Sequence, residues 1–377
     1  MAFSKLRHLG WLWALALAPM GVQTPLASAQ TVPASTQAAP NAQDAPLNPQ
    51  ASAASPIVLP PAGKFDLSRT DIANFIDAVS SRDSLDRKAI LALLAKAEAQ
   101  PKIIERITKP AERVLEWWEY RALFVNDKRI ADGVQFWNAH RESLERAAAQ
   151  RGVPPEYIVA ILGAETNYGR ITGRDRVLDA LMTLAFDYPP RQDYFRGELE
   201  QFLLLVREEP IDPITVLGSY TGAMGAPQFM PSNYRLYAVD ADTDKKRDLW
   251  TDWDDVFASI ANYFVSFGWV SGGPVIVNAV LDPDPTFRID PRNLELNETL
   301  DSLNVHGVRI GAPMPAATPV VLVSAEEKDG PAYRVGFQNF YVISRYNHSA
   351  RYAMAVNDLA QAIAQQLLGT PAASSAP

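Results

Sequence analysis

The spacing of apolar residues leaves its helical period at Gly273 and returns to it near Ala350, and that change limits what the chain can fold into. Before Gly273, apolar residues recur at helical intervals. DRKAILALLAKAEA places Ile90, Leu93, Leu94 and Ala97 on one such stripe. ADGVQFWNAHRESLERAAAQRG puts Val134, Trp137, Leu144 and Ala148 near another and stops at Gly152, a suitable helix C-cap. Pro154 and Pro155 then open a new helix, where a missing amide proton costs nothing. GELEQFLLLV and DVFASIANYFVSFGW read as further buried helices. After Gly273 the runs PVIVNAV, TPVVLVSA and AYRVGFQNFYVIS are short and β-rich, with Pro, Asp and Gly between them. A last helix follows from about Ala350 to Leu368. The reading is a mainly α (α+β) protein, a helical body with a small β-rich subdomain at about 273–343.

The ends differ in texture. Lys5, Arg7 and His8 precede GWLWALALAPMGV and then LASAQ, the basic, apolar, small-x-small order of a cleaved signal peptide. Residues 1–29 are therefore expected to be removed after Ala29. The apolar run is broken by Pro19 and is too short for a good span, so no stable membrane anchor is expected; an uncleaved anchor is the alternative. Residues 30–62, rich in Ala, Pro, Ser and Gln, cannot bury enough apolar surface to offset ordering and read as a flexible tether. Residues 369–377 read the same way, which leaves 63–368 as the folded domain. Export of a soluble protein points to a periplasm. The chain has no cysteine, which rules out disulfides, thiolate metal sites, a cysteine nucleophile and a thioether-linked lipid. A net charge of -8 argues against nucleic acid as the main partner.

One charged residue breaks the helical pattern. In PPEYIVAILGAETNYG, Ile158, Ile161 and Leu162 precede Glu165 by seven, four and three positions, so a continuous helix puts the carboxylate on their apolar face. It also falls at the helix C-terminus, where the macrodipole disfavours negative charge. Both effects raise its pKa, and an acid kept protonated near neutrality is what general acid catalysis needs. The other reading is that the helix has turned by Glu165, leaving it to water or to Arg170.

Two more stretches carry chemistry. In GSYTGAMGAPQFMPSNY, residues 218–234, Gly218, Gly222 and Gly225 permit tight turns. Ser219, Gln228 and Asn233 offer uncharged hydrogen bonds beside Tyr220, Met224, Phe229, Met230 and Tyr234. That suits a sugar-binding cleft; it also suits a glycine-rich loop that lets two helices cross closely. FQNFYVISRYNHSARYAMAV, residues 337–356, crowds Tyr341, Tyr346, Asn347, His348 and Tyr352 into a strand-to-helix passage. Asn347 or Ser349 suits a cap for the last helix. This cluster reads either as core plus cap or as part of a site.

Taken in order, ETNYGR, GAMGAPQFMPSNY, VDADTDKKRDLW, SIANYF and RYNHSARYAMAV resemble the membrane-bound lytic transglycosylase B family of murein-degrading enzymes, over about Phe65 to Leu368. The resemblance implies a lysozyme-like helical catalytic core with a helical subdomain and a small β subdomain. It implies cleavage of the β-1,4 bond between N-acetylmuramic acid and N-acetylglucosamine, with a 1,6-anhydro end as product. By the same resemblance Glu165 is the one catalytic acid, and then the base for the C6 hydroxyl that attacks C1 of the same sugar. An internal hydroxyl needs no activated water, so the second carboxyl group of ordinary glycosidases is dispensable. The family pattern carries over to Tyr120 of WWEYR, Ser219, Gln228, Tyr263, Tyr346, Asn347 and Tyr352 as groups around the saccharide, with Tyr346 alternatively orienting Glu165. In DYPPRQDYF the family commonly has two arginines near the peptide stem; here the first is Pro190 and Arg191 remains.

VDADTDKKRDLW resembles the family's calcium loop. Asp240, Asp242 and Asp244 fall at positions 1, 3 and 5, Lys246 offers a carbonyl at position 7, and Asp255 or Asp254 closes the shell. The sixth position, ordinarily glycine, is Lys245. A solvated acidic loop is the alternative. Calcium there would be structural, because the chemistry requires no cofactor. The implied partners are peptidoglycan glycan strands, with the tether able to reach toward another cell-wall enzyme. Two other functions stay open: a hydrolytic muramidase with Asp187 or Asp179 as second carboxylate, and a non-catalytic murein-binding scaffold.

Overall fold

The computed structural model describes residues 59–108, 115–282, 289–290, 292–311 and 313–369. The expected leader over 1–29, the tether as far as residue 58 and the tail from residue 370 lie outside the described residues.

Two helices sit at the centre. In Pro155–Thr166 every residue from Tyr157 to Gly163 is buried, and in Val177–Asp187 every residue from Val177 to Phe186. A helix apolar on all sides belongs inside a protein. The one-sided reading of PPEYIVAILGAETNYG therefore gives way. That helix is covered by Ala350–Gly369, Asp127–Ala139, Arg141–Arg151 and Trp253–Ser266. Val177–Asp187 packs along Gln192–Glu208 and against Pro101–Thr108. The outer helices Thr70–Asp83 and Arg87–Leu94 close over this end, with Ile72, Ile76, Ile90 and Leu94 in the common core.

Two helix boundaries differ from the sequence reading. The stripe over 131–152 is two helices, because the chain bends at His140 (φ -122°) between Asp127–Ala139 and Arg141–Arg151. Gly152 ends the second with φ 65°, the left-handed cap expected of it. The helix from Arg87 stops at Leu94, and Glu98–Ala99 pairs antiparallel with Gly63–Lys64.

The β-rich segment is a five-stranded antiparallel sheet in the order Glu298–Thr299, Pro319–Ser324, Tyr333–Gly336, Ile276–Leu281, Val308–Ile310. Alternation on Pro319–Ser324 explains how it is held. Val320 and Leu322 join Leu300, Leu303, Val308, Val335 and Phe337 in a small separate core, while Val321 and Val323 face the main one. The strand expected to run on through FQNFYVIS ends at Gly336, and Gln338–Tyr346 is a helix. Asn339, Val342, Ile343 and Tyr346 are all buried, a helical interval that the aromatic and β-branched composition masked. Asn339 fastens the sheet to the body: its Nδ2 donates to the carbonyls of Val270 (2.8 Å) and Gly273 (2.9 Å), and its Oδ1 accepts from Val270 N (2.8 Å). No described helix is long and apolar enough to cross a membrane.

Candidate active site

Glu165 occupies the last turn of Pro155–Thr166, and the chain then passes through three left-handed residues, Asn167 (φ 50°), Tyr168 (φ 63°) and Gly169 (φ 77°). For the two that carry a Cβ this costs on the order of 1 kcal/mol each. Thr166 helps to hold the turn. Its hydroxyl donates to Ala226 O (2.9 Å) and accepts from Gly169 N (3.0 Å), which ties the helix end to the GAMGAPQF loop.

The carboxyl group is partly buried, and Tyr352 of the last helix donates to its Oε1 at 2.5 Å. Burial pushes its pKa up to about 7, and the Tyr352 bond, which favours the anion, opposes that shift. Arg170, the alternative partner, is turned to Asp132 at 2.6 Å. Three phenols lie near enough to feel the carboxylate. Tyr120 is pushed up to about 12 by burial and then by Glu165. Burial first and Glu165 second also hold Tyr346 and Tyr352 well above the ordinary tyrosine range. They come from three helices, Trp117–Phe124, Gln338–Tyr346 and Ala350–Gly369.

The remaining expected residues divide. Tyr346 donates to Pro227 O (2.7 Å), so orientation of Glu165 falls to Tyr352 instead. Tyr263 stands behind Tyr346, ring centroids 4.9 Å apart; it is 1% exposed and donates to Arg345 O (2.6 Å). It supports Tyr346 from behind. Gln228 has a left-handed backbone (φ 54°), and its Nε2 donates to Thr172 O and Gly225 O. Ser219 Oγ accepts from Ala223 N (3.0 Å) and shares a hydrogen bond with Thr221 (2.9 Å), closing its own loop. That loop needs glycine: a Cβ at Gly173 would lie 1.9 Å from Gly218 O, so close approach of two backbones is part of the design. Asn347 ends Gln338–Tyr346, and Ser349 rather than Asn347 caps the last helix, accepting from Tyr352 N (3.3 Å). Arg191 stacks on Tyr194 (4.5 Å) and Phe195 (5.4 Å), where its charge acts on buried Glu198.

Neither candidate second carboxylate joins the group. Asp179 is bound by Arg176 (2.7 and 2.8 Å) and Glu98 N (2.9 Å), and Asp187 by Arg69 (2.7 Å). Thr166 and Tyr168 were not singled out from sequence; their place in ETNYG, next to the acid, was the available signal.

The acidic loop folds on itself. Asp240 Oδ2 accepts from Lys245 N, Asp242 Oδ1 from Asp244 N and Asp244 Oδ1 from Lys246 N, at 2.9, 2.9 and 2.8 Å. Asp240, Asp242 and Asp244 bring carboxylate oxygens within 4.8 Å of one another, and so do Asp242, Asp252 and Asp255. Asp254 does not take part: it bonds Ser143 and Arg146 instead. Of the two residues expected to close the shell, Asp255 lies in the cluster, beside Asp252. Asp240 Oδ1 is buried with no hydrogen-bond partner, a lack that a cation would meet, and an all-oxygen set suits a hard one. The residues thus fit calcium. Lys245 holds φ 72° where glycine is usual, and Lys246 Nζ lies 3.5 Å from Asp244.

Beyond Thr172 lies a cavity of about 650 Å³ lined also by Leu217, Arg247, Asp248 and Trp250. There Arg247 pairs with Glu209 (2.5 Å) and Asp248 accepts from Trp250 N (2.7 Å).

A central helix that ends on a desolvated glutamate, with a small sheet fastened to one side of the helical body, defines the lysozyme-like class. Within that class the chain belongs to the transglycosylase SLT domain family, whose model matches residues 68–361. It is 39% identical over 299 residues to the membrane-bound lytic murein transglycosylase B of Escherichia coli strain K12, covering 77% of this chain and 81% of that protein. Its fold is similar to that of the catenated lytic transglycosylase SltB1 from Pseudomonas aeruginosa, with 44% identity, a TM-score of 0.75 and coverage of 79% of this chain and 98% of that one. The Escherichia coli lytic transglycosylase Slt35 in complex with calcium gives 38% identity, a TM-score of 0.73 and coverage of 81% and 96%.

Proposed function

We propose that the protein is a lytic transglycosylase that cleaves the β-1,4 bond between N-acetylmuramic acid and N-acetylglucosamine in peptidoglycan strands. Glu165, protonated, gives its proton to the glycosidic oxygen as the C1–O bond breaks. The resulting carboxylate takes the proton of the C6 hydroxyl as that oxygen bonds to C1 of the same sugar, and the 1,6-anhydro ring closes. The acid is then regenerated with no water consumed. One observation carries the reading: burial keeps Glu165 neutral to about pH 7, while Tyr352 donates to the anion it must become. The two states of one carboxyl are thus both provided for.

Around it we assign Tyr120, Ser219, Gln228, Asn347 and Tyr352 to the saccharide, with Tyr346 and Tyr263 as the wall behind and Arg191 for carboxylates of the stem peptide. The hydrolytic alternative is disfavoured because Asp179 and Asp187 are committed to Arg176 and Arg69. We assign calcium to Asp240, Asp242, Asp244, Asp252 and Asp255, with the Lys246 carbonyl, as a structural ion that supplies only charge neutralisation and loop rigidity. We read residues 1–29 as an export signal to the periplasm and 30–62 as a tether for the catalytic domain 63–368; deletion of 30–62 should leave activity on soluble glycan unchanged.

The test is mass spectrometry of muropeptides released from purified sacculi by the wild type and by Glu165→Gln. Anhydro ends from the wild type and none from the variant are expected. Reducing ends from the wild type would make it a hydrolase, and release by neither would favour a binding scaffold.

A further inference from the structure

We propose that Tyr168 is a positioning residue for Glu165: its ring and hydroxyl hold the left-handed turn that fixes how deep the glutamate sits. The proposal rests on the reading of Glu165 as the catalytic acid. Tyr168 touches no reacting atom and acts through the backbone three residues away.

The geometry is specific. The ring is 4% exposed and fills a notch between two helices, and both walls of the notch are glycine. A Cβ at Gly133, on Asp127–Ala139, would lie 2.7 Å from the Tyr168 hydroxyl. A Cβ at Gly163, on the glutamate helix, would lie 2.8 Å from the hydroxyl and 2.9 Å from Cε1 and Cζ. The hydroxyl donates to Arg129 O at 2.6 Å, and the Arg129 guanidinium donates to Gly163 O. That carbonyl is one of those a helix C-terminus leaves without an intrahelical partner. A closed circuit therefore runs from Tyr168 through Arg129 to Gly163, two residues before Glu165. The next residue is locked as well, since a Cβ at Gly169 would lie 2.6 Å from Cη2 of Trp253. Phe136 stacks on the Tyr168 ring with centroids 5.6 Å apart.

Successive left-handed residues are unfavourable in isolation, and they persist here because the surroundings over-determine them. When the circuit is broken, the helix end frays toward water. Glu165 then loses the burial that keeps it neutral, and less of it is protonated at neutral pH. The groups facing Glu165 are the phenols of Tyr120, Tyr346 and Tyr352, from the helices Trp117–Phe124, Gln338–Tyr346 and Ala350–Gly369. The charged groups facing Tyr168 are Arg129, Asp132 and Arg170.

The experiment measures kcat, KM and the pH profile of anhydromuropeptide release from soluble glycan strands, for the wild type, Tyr168→Phe and Ile363→Val. Phenylalanine keeps the ring in the notch and removes only the hydroxyl. Ile363 also borders Gly133, so its truncation is a nearby packing control that spares the circuit. For Tyr168→Phe we expect kcat to fall roughly five- to tenfold, the scale of one hydrogen bond. KM should stay within about twofold, and the basic limb of the profile should move to lower pH. Ile363→Val should lower Tm and leave the limb in place. If Tyr168→Phe lowers Tm yet leaves the limb where the wild type has it, Tyr168 is structural and the positioning role is overturned. If the wild type itself yields no anhydro product, the acid reading of Glu165 fails first, which is a separate result.

Discussion

The hydroxyl of Tyr352 lies 2.5 Å from Oε1 of Glu165, 187 residues away in the chain, and joins the two helices that carry them. The bond has opposite effects on the two states of the carboxyl. It stabilises the anion, while burial stabilises the acid. Replacing Tyr352 by Phe removes the first effect alone. The pKa of Glu165 should then rise above its present value of about 7, moving the basic limb of kcat/KM to higher pH. A hydrogen bond to a charged group is worth about 1.5–3 kcal/mol, so kcat should fall by roughly 10- to 100-fold. A pH–rate profile of Tyr352→Phe beside the wild type measures both.

The raised pKa is also a statement about stability. Glu165 is held near 7 against an ordinary value of 4.5, so the folded protein binds this proton more tightly than the unfolded chain. Its contribution is fully present below about pH 4.5 and is lost as pH rises through about 7, at most roughly 3 kcal/mol. Glu165→Gln keeps the shape and the acceptor oxygen and carries no charge. It should therefore raise Tm relative to the wild type at pH 8, with the difference shrinking toward pH 5. Calorimetry at the two values decides it; an equal gain at both would mean that the benefit is not ionic.

Asp179→Asn and Asp187→Asn test the single-carboxyl reading directly. Each side chain is bound to an arginine away from Glu165. Both variants should lose stability, and both should give the same anhydro end groups as the wild type. A loss of reducing-end product with retained anhydro product in either one would reveal a hydrolytic side reaction.

For the acidic loop, calcium should raise Tm and a chelator should reverse the gain. Asp242 is shared by both carboxylate groups, so Asp242→Asn should abolish the response. Lys245→Gly should strengthen it, because glycine adopts the φ of 72° held there without strain and removes a positive charge beside the ion. Thermal melts with and without calcium on the three proteins check this.

The sequence was informative where one residue type answers to one physical demand. Helical spacing located the glutamate helix, Gly152 its upstream stop, and the change of texture at Gly273 the sheet. Glu165 was visible as a carboxylate closing an apolar helix, although that helix is buried all round and not on one face, and the five ordered motifs gave its setting. Contacts set by tertiary packing were less legible. Nothing in RYNHSARYAMAV says that Tyr352, rather than Tyr346, would reach the carboxyl, because both orientations suit the same composition. Tyr263 and Tyr346 lie in one aromatic layer, and only the structure shows that Tyr346 is on the side toward Glu165. FQNFYVIS has strand-forming residues at helical spacing, and packing of Val342, Ile343 and Tyr346 into the core decided for helix. In the left-handed run, Asn167 and Gly169 are residue types that favour that region, whereas Tyr168 between them gave no compositional sign.

The span of the Glu165–Tyr352 contact has a consequence for how the cell carries such a protein. The acid is made early and its phenol partner late. A nascent or truncated chain that has not docked its final helix holds the glutamate without the group that steadies its anion, and its helix 155–166 has lost one covering neighbour. The setting of the glutamate is therefore complete only once the last helix, 350–369, has been made and has docked on helix 155–166.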